Sequence, residues 1–237
     1  MTRGVTRMAT VLTAIITMNE TNPARGLTRL LTWLSPAFPT GAFAYSHGLE
    51  WAVETHDIRD GDTLRVWLRD VIAHGSGRND TILLRHAHRA ADDAEALRDI
   101  AGLALATAAS RERRDESLAQ GKAFLRAAAE WGVPALPEDS PYPVAVGAMT
   151  GHHGIASDTV AAACLQTFTA NLISAVVRMV PLGQTTGLRV LAALEPVILQ
   201  TAAETRDASL DDLGGCAFLS DLAAMRHETQ YTRLFRS

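Results

Sequence analysis

Apolar residues return at intervals of three and four along most of this chain, and that spacing limits it to helices packed on helices. Leu64, Trp67, Leu68, Val71 and Ile72 fit the i, i+3, i+4, i+7, i+8 template, which places them on one stripe of an amphipathic helix. Leu165, Phe168, Leu172, Val176 and Met179 form the most regular stripe and predict the central helix, with Asn171, Ser174 and Arg178 on its polar side. Ala101, Ala104 and Ala108 are small enough to let helices approach closely. Breakers divide these stretches: Gly75 with Gly77, the loop holding Pro134, Pro137, Pro141 and Pro143, the turn Pro181 to Gln184, Pro196 in the first turn of a separate helix, and Gly214 with Gly215. The expectation is an all-α fold, a single compact bundle of roughly ten helices over residues 25–225. A leader or over-extended start at 1–24 precedes it, and a mobile partner-binding tail at 226–237 follows.

The locally improbable stretch is SPAFPTGAFAYSHGLE, residues 35–50. Pro36 and Pro39 cannot continue a helix, and each pushes the residue before it toward extended backbone, so the chain bends rigidly here. Phe38, Phe43 and Tyr45 surround the bend. Beyond Gly41 the pattern predicts a helix that buries Phe43, Leu49 and Val53 and turns Ser46, His47 and Glu50 toward a polar side.

Composition excludes several function classes. The net charge is −4, and of 22 basic residues only Lys122 is lysine, so the basic block that tracks a phosphate backbone is missing and nucleic acid is not an expected partner. Uninterrupted apolar runs fall short of the roughly 20 residues that span a bilayer, so no membrane role is expected either. Cys164 and Cys216 stand apart in Ala- and Leu-rich segments and read as buried free thiols in a reducing compartment. His86 with His88, and His152 with His153, are spaced too closely on a helix to converge as an i, i+4 metal clamp. The sequence carries no phosphate-binding Gly-rich loop followed by Lys and no Gly-x-Ser-x-Gly elbow. It is not expected to be an enzyme or to hold a cofactor.

Two further segments stand out. Residues 110–121 read SRERRDESLAQG, where charge crowds positions that should alternate with apolar ones; they form either a solvated helix face or a polar contact surface. Gly121, inside a helical pattern at a cost of about 1 kcal/mol, points to a close packing neighbour. The chain ends as RHETQYTRLFRS, whose arginines and aromatics have the composition of an interface hot spot that orders on binding.

Three of these stretches, SPAFPTGAFAYSHGLE at 35–50, NLISAVVRMVPLGQ at 171–184 and MRHETQYTRLFRS at 225–237, together resemble the signature segments of the UreF family of urease accessory proteins. The resemblance spans roughly Leu27 to Ser237 and includes the charged segment before Gly121. It implies an all-helical cytoplasmic protein that dimerises and has no catalytic activity. Its implied partners are UreD (UreH in some organisms), the GTPase UreG and, through that complex, apo-urease, into which nickel is delivered. It further implies that Phe38, Pro39, Gly41, Tyr45, His47 and Glu50 shape a partner-facing surface. Arg226, His227, Glu228, Tyr231, Arg233, Leu234, Phe235 and Arg236 would dock on UreD, and Arg178 with Gln184 would lie near the surface that meets UreG. A rival reading is a helical ligand-binding protein or enzyme whose apolar cleft lies beneath the elbow, with Tyr45, His47 and Glu50 as its polar groups. A third makes the elbow a corner of the core.

Overall fold

A computed structural model describes residues 22 to 237. The leader expected over residues 1–24 lies outside the described residues except at its end. There Asn22 caps the first helix by accepting from the Ala24 amide at 2.9 Å, and Pro23 occupies a first-turn position. Ten α-helices follow: α1 (Pro23–Trp33), α2 (Leu49–Glu54), α3 (Gly61–His74), α4 (Ser76–Arg89), α5 (Ala94–Ala106), α6 (Arg111–Ala128), α7 (Tyr142–His152), α8 (Ser157–Met179), α9 (Gly183–Glu204) and α10 (Phe218–His227), with no strand among the described residues.

The helix starts follow from local chemistry. Asp60 caps α3 in a reciprocal box with Thr63, and Ser110 caps α6 by accepting from the Arg113 amide. At Pro196 the sequence predicts a new helix, but α9 runs through it unbroken. Pro196 faces solvent, so the carbonyl deprived of its partner can be met by water.

Packing is arranged around α4, α7, α8 and α9. Helices α4 and α7 approach so closely that a Cβ on Gly147 or Gly151 would lie 2.2 Å from the carbonyl oxygens of Leu84 and His88. Only glycine fits there. The expected central helix α8 joins α3 and α9 in one apolar cluster through Leu64, Leu68, Leu172, Val176, Leu194 and Ile198. By length and composition α8 could cross a membrane, but its apolar stripe is taken up by this cluster. A second cluster gathers Trp33, Phe124 and Met149 with Phe38 of the elbow against it. Buried Arg85 on α4 ties these layers together, donating to Asp158 of α8 at 2.9 Å and to the Ala202 carbonyl of α9 at 2.6 Å. The neighbour anticipated at Gly121 is the turn before α7, where an added Cβ would lie 2.0 Å from the Ser140 carbonyl oxygen.

Candidate functional site

The elbow does not continue as a helix beyond Gly41. A short 3-10 turn over Ala42–Ala44 is followed by extended Tyr45, and His47 and Gly48 then take left-handed φ values of 58° and 75°. Two consecutive left-handed residues break a right-handed helix, so α2 starts only at Leu49. Gly48 also has no room for a side chain, because a Cβ there would meet the Ala224 backbone nitrogen of α10 at 2.5 Å. The break overturns part of the expected orientation: Ser46 and Glu50 are buried and Phe43 is 70% exposed, whereas Leu49 is buried as expected.

What buries Ser46 and Glu50 is the end of the chain. The Glu50 carboxylate accepts from the Leu234 amide at 2.7 Å, the Phe235 amide at 3.0 Å and His227 Nε2 at 3.2 Å. His227, fully buried, turns its Nδ1 to Glu112 of α6 at 2.6 Å. The other Glu112 oxygen accepts from Arg233 at 2.7 Å. Further out, the Arg236 amide donates to the Ala44 carbonyl at 2.8 Å, and the Ser46 amide and hydroxyl both donate to the Ser237 carbonyl at 2.6 and 2.5 Å. Phe235 is buried, and the Arg178 guanidinium lies between its ring and that of Phe43, 4.5 and 3.6 Å from the centroids, while donating to the Phe43 carbonyl at 2.9 Å. The tail anticipated as mobile is therefore pinned on α2, α6 and the elbow. A carboxylate that accepts from two successive backbone amides supplies the partners that an extended end would otherwise seek in water.

Beneath the tail Glu116 and Gln120 of the charged α6 segment point inward, while Arg111, Arg114 and Asp115 stay exposed. Glu116 is 2% exposed and accepts from Arg113, from Gln120 at 2.8 Å and from the Ser237 hydroxyl at 2.6 Å. Burial alone would raise its carboxyl, but Arg113, His47 and the Ser237 hydroxyl outweigh it and hold it at about 2. Burial, reinforced by Arg113, lowers His47 below the usual imidazole range against the pull of Glu116. His47 Nε2 lies 2.6 Å from the Arg113 guanidinium and 2.8 Å from Glu116 Oε1. Asp80 faces the same group, and burial pushes its carboxyl up to about 6, with Arg113 opposing and Glu116 adding to the rise. The cavity under the elbow, lined by Tyr45, His47, Asp80 and Phe168 among others, measures about 60 Å³. Glu50 is committed to the tail, so the cleft of the rival reading lacks one of its three polar groups.

The outer surface of this assembly is apolar. On α10 the alanines Ala223 and Ala224 face inward against α2, and the large residues Phe218, Leu219, Leu222 and Met225 face out, with Phe218 74% exposed. Tyr231 is fully exposed and Leu234 is 76% exposed on the adjoining tail. Phe218, Leu222 and Met225 recur at four and three residues, so they share one side of the helix.

The structure thus sorts the residues singled out in the sequence. Elbow residues Tyr45, His47 and Glu50 meet the tail residues or their supporting network, but they lie inward and build the surface instead of forming it. Phe38 packs against Phe124 with ring centroids 5.7 Å apart, in keeping with a core corner, while Pro39 and Gly41 are exposed. In the tail His227 and Phe235 are buried and Glu228 is partly buried, its carboxylate accepting from the Arg111 amide at 2.8 Å. Arg226, Tyr231, Arg233, Leu234 and Arg236 face solvent. Arg178 belongs to the elbow and tail, and Gln184 is exposed in the first turn of α9. The outward face of α10 was not singled out in the sequence. Its signal was there, since large apolar residues alternate with the pair Ala223 and Ala224, but periodicity does not say which side of a helix meets the core. Among the described residues no group of three or more His, Cys, Asp and Glu side chains is placed to hold a metal.

Comparison with known proteins bears directly on this arrangement. A family model described as UreF matches residues 58–195. The chain is 53% identical over 220 residues to the urease accessory protein UreF of Bradyrhizobium sp. (strain BTAi1 / ATCC BAA-1182), covering 89% of this chain and 92% of that one. It is 48% identical over 223 residues to the protein of the same name from Mesorhizobium japonicum, covering 93% of this chain and all of the relative. With the UreF of Methylobacterium sp. (strain 4-46) it shares 49% identity over 218 residues, 88% of this chain and 87% of the relative. The helical body, the accessory protein names and the extent of these matches agree, and the chain belongs to the UreF family of urease accessory proteins, which are not catalysts.

Proposed function

We propose that this chain is a non-catalytic scaffold of urease maturation, working as a cytoplasmic homodimer, that docks UreD/UreH on the outward face of α10 and the tail and recruits the GTPase UreG for nickel insertion into apo-urease. The observation that carries this reading is the apolar cluster of Phe218, Leu222, Met225, Tyr231 and Leu234, set on a tail that the chain's own carboxylates hold in place. Such a platform costs free energy in water, at roughly 25 cal/mol per Å² of apolar surface, and a partner that covers it recovers that cost. Arg226, Arg233 and Arg236 at its edge have the chemistry of an interface rim that meets carboxylates. Arg178 serves this platform by clamping Phe43. Regulation of UreG then rests on different affinities for its two nucleotide states.

The experiment is co-purification with UreD of the wild-type chain and of the double variant Leu222→Ser, Leu234→Ser. Both positions are exposed, so the helical signal and melting temperature should stay near wild type. Capture of UreD should fall by at least about tenfold, the loss of one or two buried apolar anchors. Unchanged capture by the folded double variant refutes the platform.

A further inference from the structure

We propose that His227 is a proton-operated clasp: as an imidazolium it bridges Glu50 and Glu112 and so holds the tail closed, and on losing its proton it lets the tail lift from the elbow. Both ring nitrogens face carboxylate oxygens, Nδ1 at 2.6 Å from Glu112 and Nε2 at 3.2 Å from Glu50, and the ring is fully buried. A neutral imidazole has one N–H and one lone pair. It can satisfy one of these carboxylates, and its lone pair then confronts the other. Only the doubly protonated ring donates to both, and water has no access to replace the missing bond.

The surrounding charges set the direction. Glu50 comes from α2 and Glu112 from α6; from the tail, Arg233 pairs with the far oxygen of Glu112, while Glu228, the residue after His227, pairs with Arg111. Glu54, also on α2, is occupied by Gln230. Two carboxylates from different helices thus meet one buried ring. Arg233 offsets part of the Glu112 charge and none of the Glu50 charge. When the proton leaves, Glu50 is the weaker attachment, at the longer distance. Glu50 is also the acceptor of the Leu234 and Phe235 amides, so the loss is felt where the tail crosses α2. Rising pH therefore opens the clasp. The inference rests on the platform reading only where it predicts partner affinity, since tail opening itself is a property of the chain alone.

Hydrogen–deuterium exchange of the full chain tests it, read at the Leu234 and Phe235 amides across about pH 5.5 to 8.5, the range over which a histidine titrates. The known tenfold rise in intrinsic exchange per pH unit is divided out. Opening of this segment should increase roughly ten- to a hundredfold, the value of one charge-assisted hydrogen bond, while amides in α8 stay unchanged. Histidine ring nitrogen resonances should show both nitrogens of His227 protonated at the low end. His227→Gln should open the segment at every pH and flatten the profile. If that variant fails to fold, Glu50→Gln, which removes the charge and keeps one of the two acceptor oxygens, serves in its place and should also flatten it. A wild-type profile flat in pH, or a neutral His227 ring with the tail still protected, overturns the clasp. If the tail opens as described but UreD affinity does not follow it, the clasp stands and the proposed docking of UreD on the tail fails.

Discussion

Glu50 shows how far one side chain can organise this molecule. Its charge is buried and affordable because three donors meet it, His227 and the amides of Leu234 and Phe235, in line with the rule that buried charges persist only when paired. Asp80 is the opposite case. Its carboxyl rises to about 6 because burial outweighs Arg113, whereas an unfolded aspartate titrates near 3.8. Between those values the folded state keeps a proton that the unfolded state has lost, so stability falls as pH rises, and above about 6 the penalty is constant. Asp80→Asn should therefore become more stable than wild type progressively above about pH 4, levelling beyond pH 6 at a gain on the order of 3 kcal/mol. Urea unfolding of both chains at a series of pH values checks this. A variant that parallels wild type at every pH would show that Asp80 carries no such penalty.

At the scale of elements, the sequence disclosed helices well and their facing poorly. The stripes of α3 and α8 identified core helices because their large apolar residues repeat over several turns and are buried. In α10 the same spacing led nowhere, since the alanines, not the large residues, meet α2. The elbow was legible as a bend from its prolines. Its continuation was not, because the left-handed pair His47 and Gly48 is imposed by contact with α10, which no local pattern encodes. Nor could the charged run of α6 reveal that its carboxylates await residues more than a hundred positions later. Close packing of α4 on α7 gives a direct test of the body. Gly147→Ala places a Cβ 2.2 Å from the Leu84 carbonyl oxygen, and backbone cannot step aside as a flexible side chain can. A loss of about 1–3 kcal/mol or more is expected in denaturant unfolding. An unchanged midpoint would mean that the two helices are further apart.

For the whole molecule, two segments that read separately as partner surfaces turn out to be partners of each other. The elbow accepts the tail, α6 supplies the carboxylates, and the side left facing outward is the apolar row of α10 with Tyr231 and Leu234. The family model covers residues 58–195, so both segments lie beyond it. The central claim is that this row, on a tail locked by the elbow, is what a maturation partner covers. A hydrogen–deuterium exchange footprint of the full chain with and without UreD tests it most directly. Protection should appear in peptides spanning 218–225 and 231–234 and leave α8 as it was; protection confined to other helices, with those two stretches exchanging as fast in the complex as in the free chain, would contradict it.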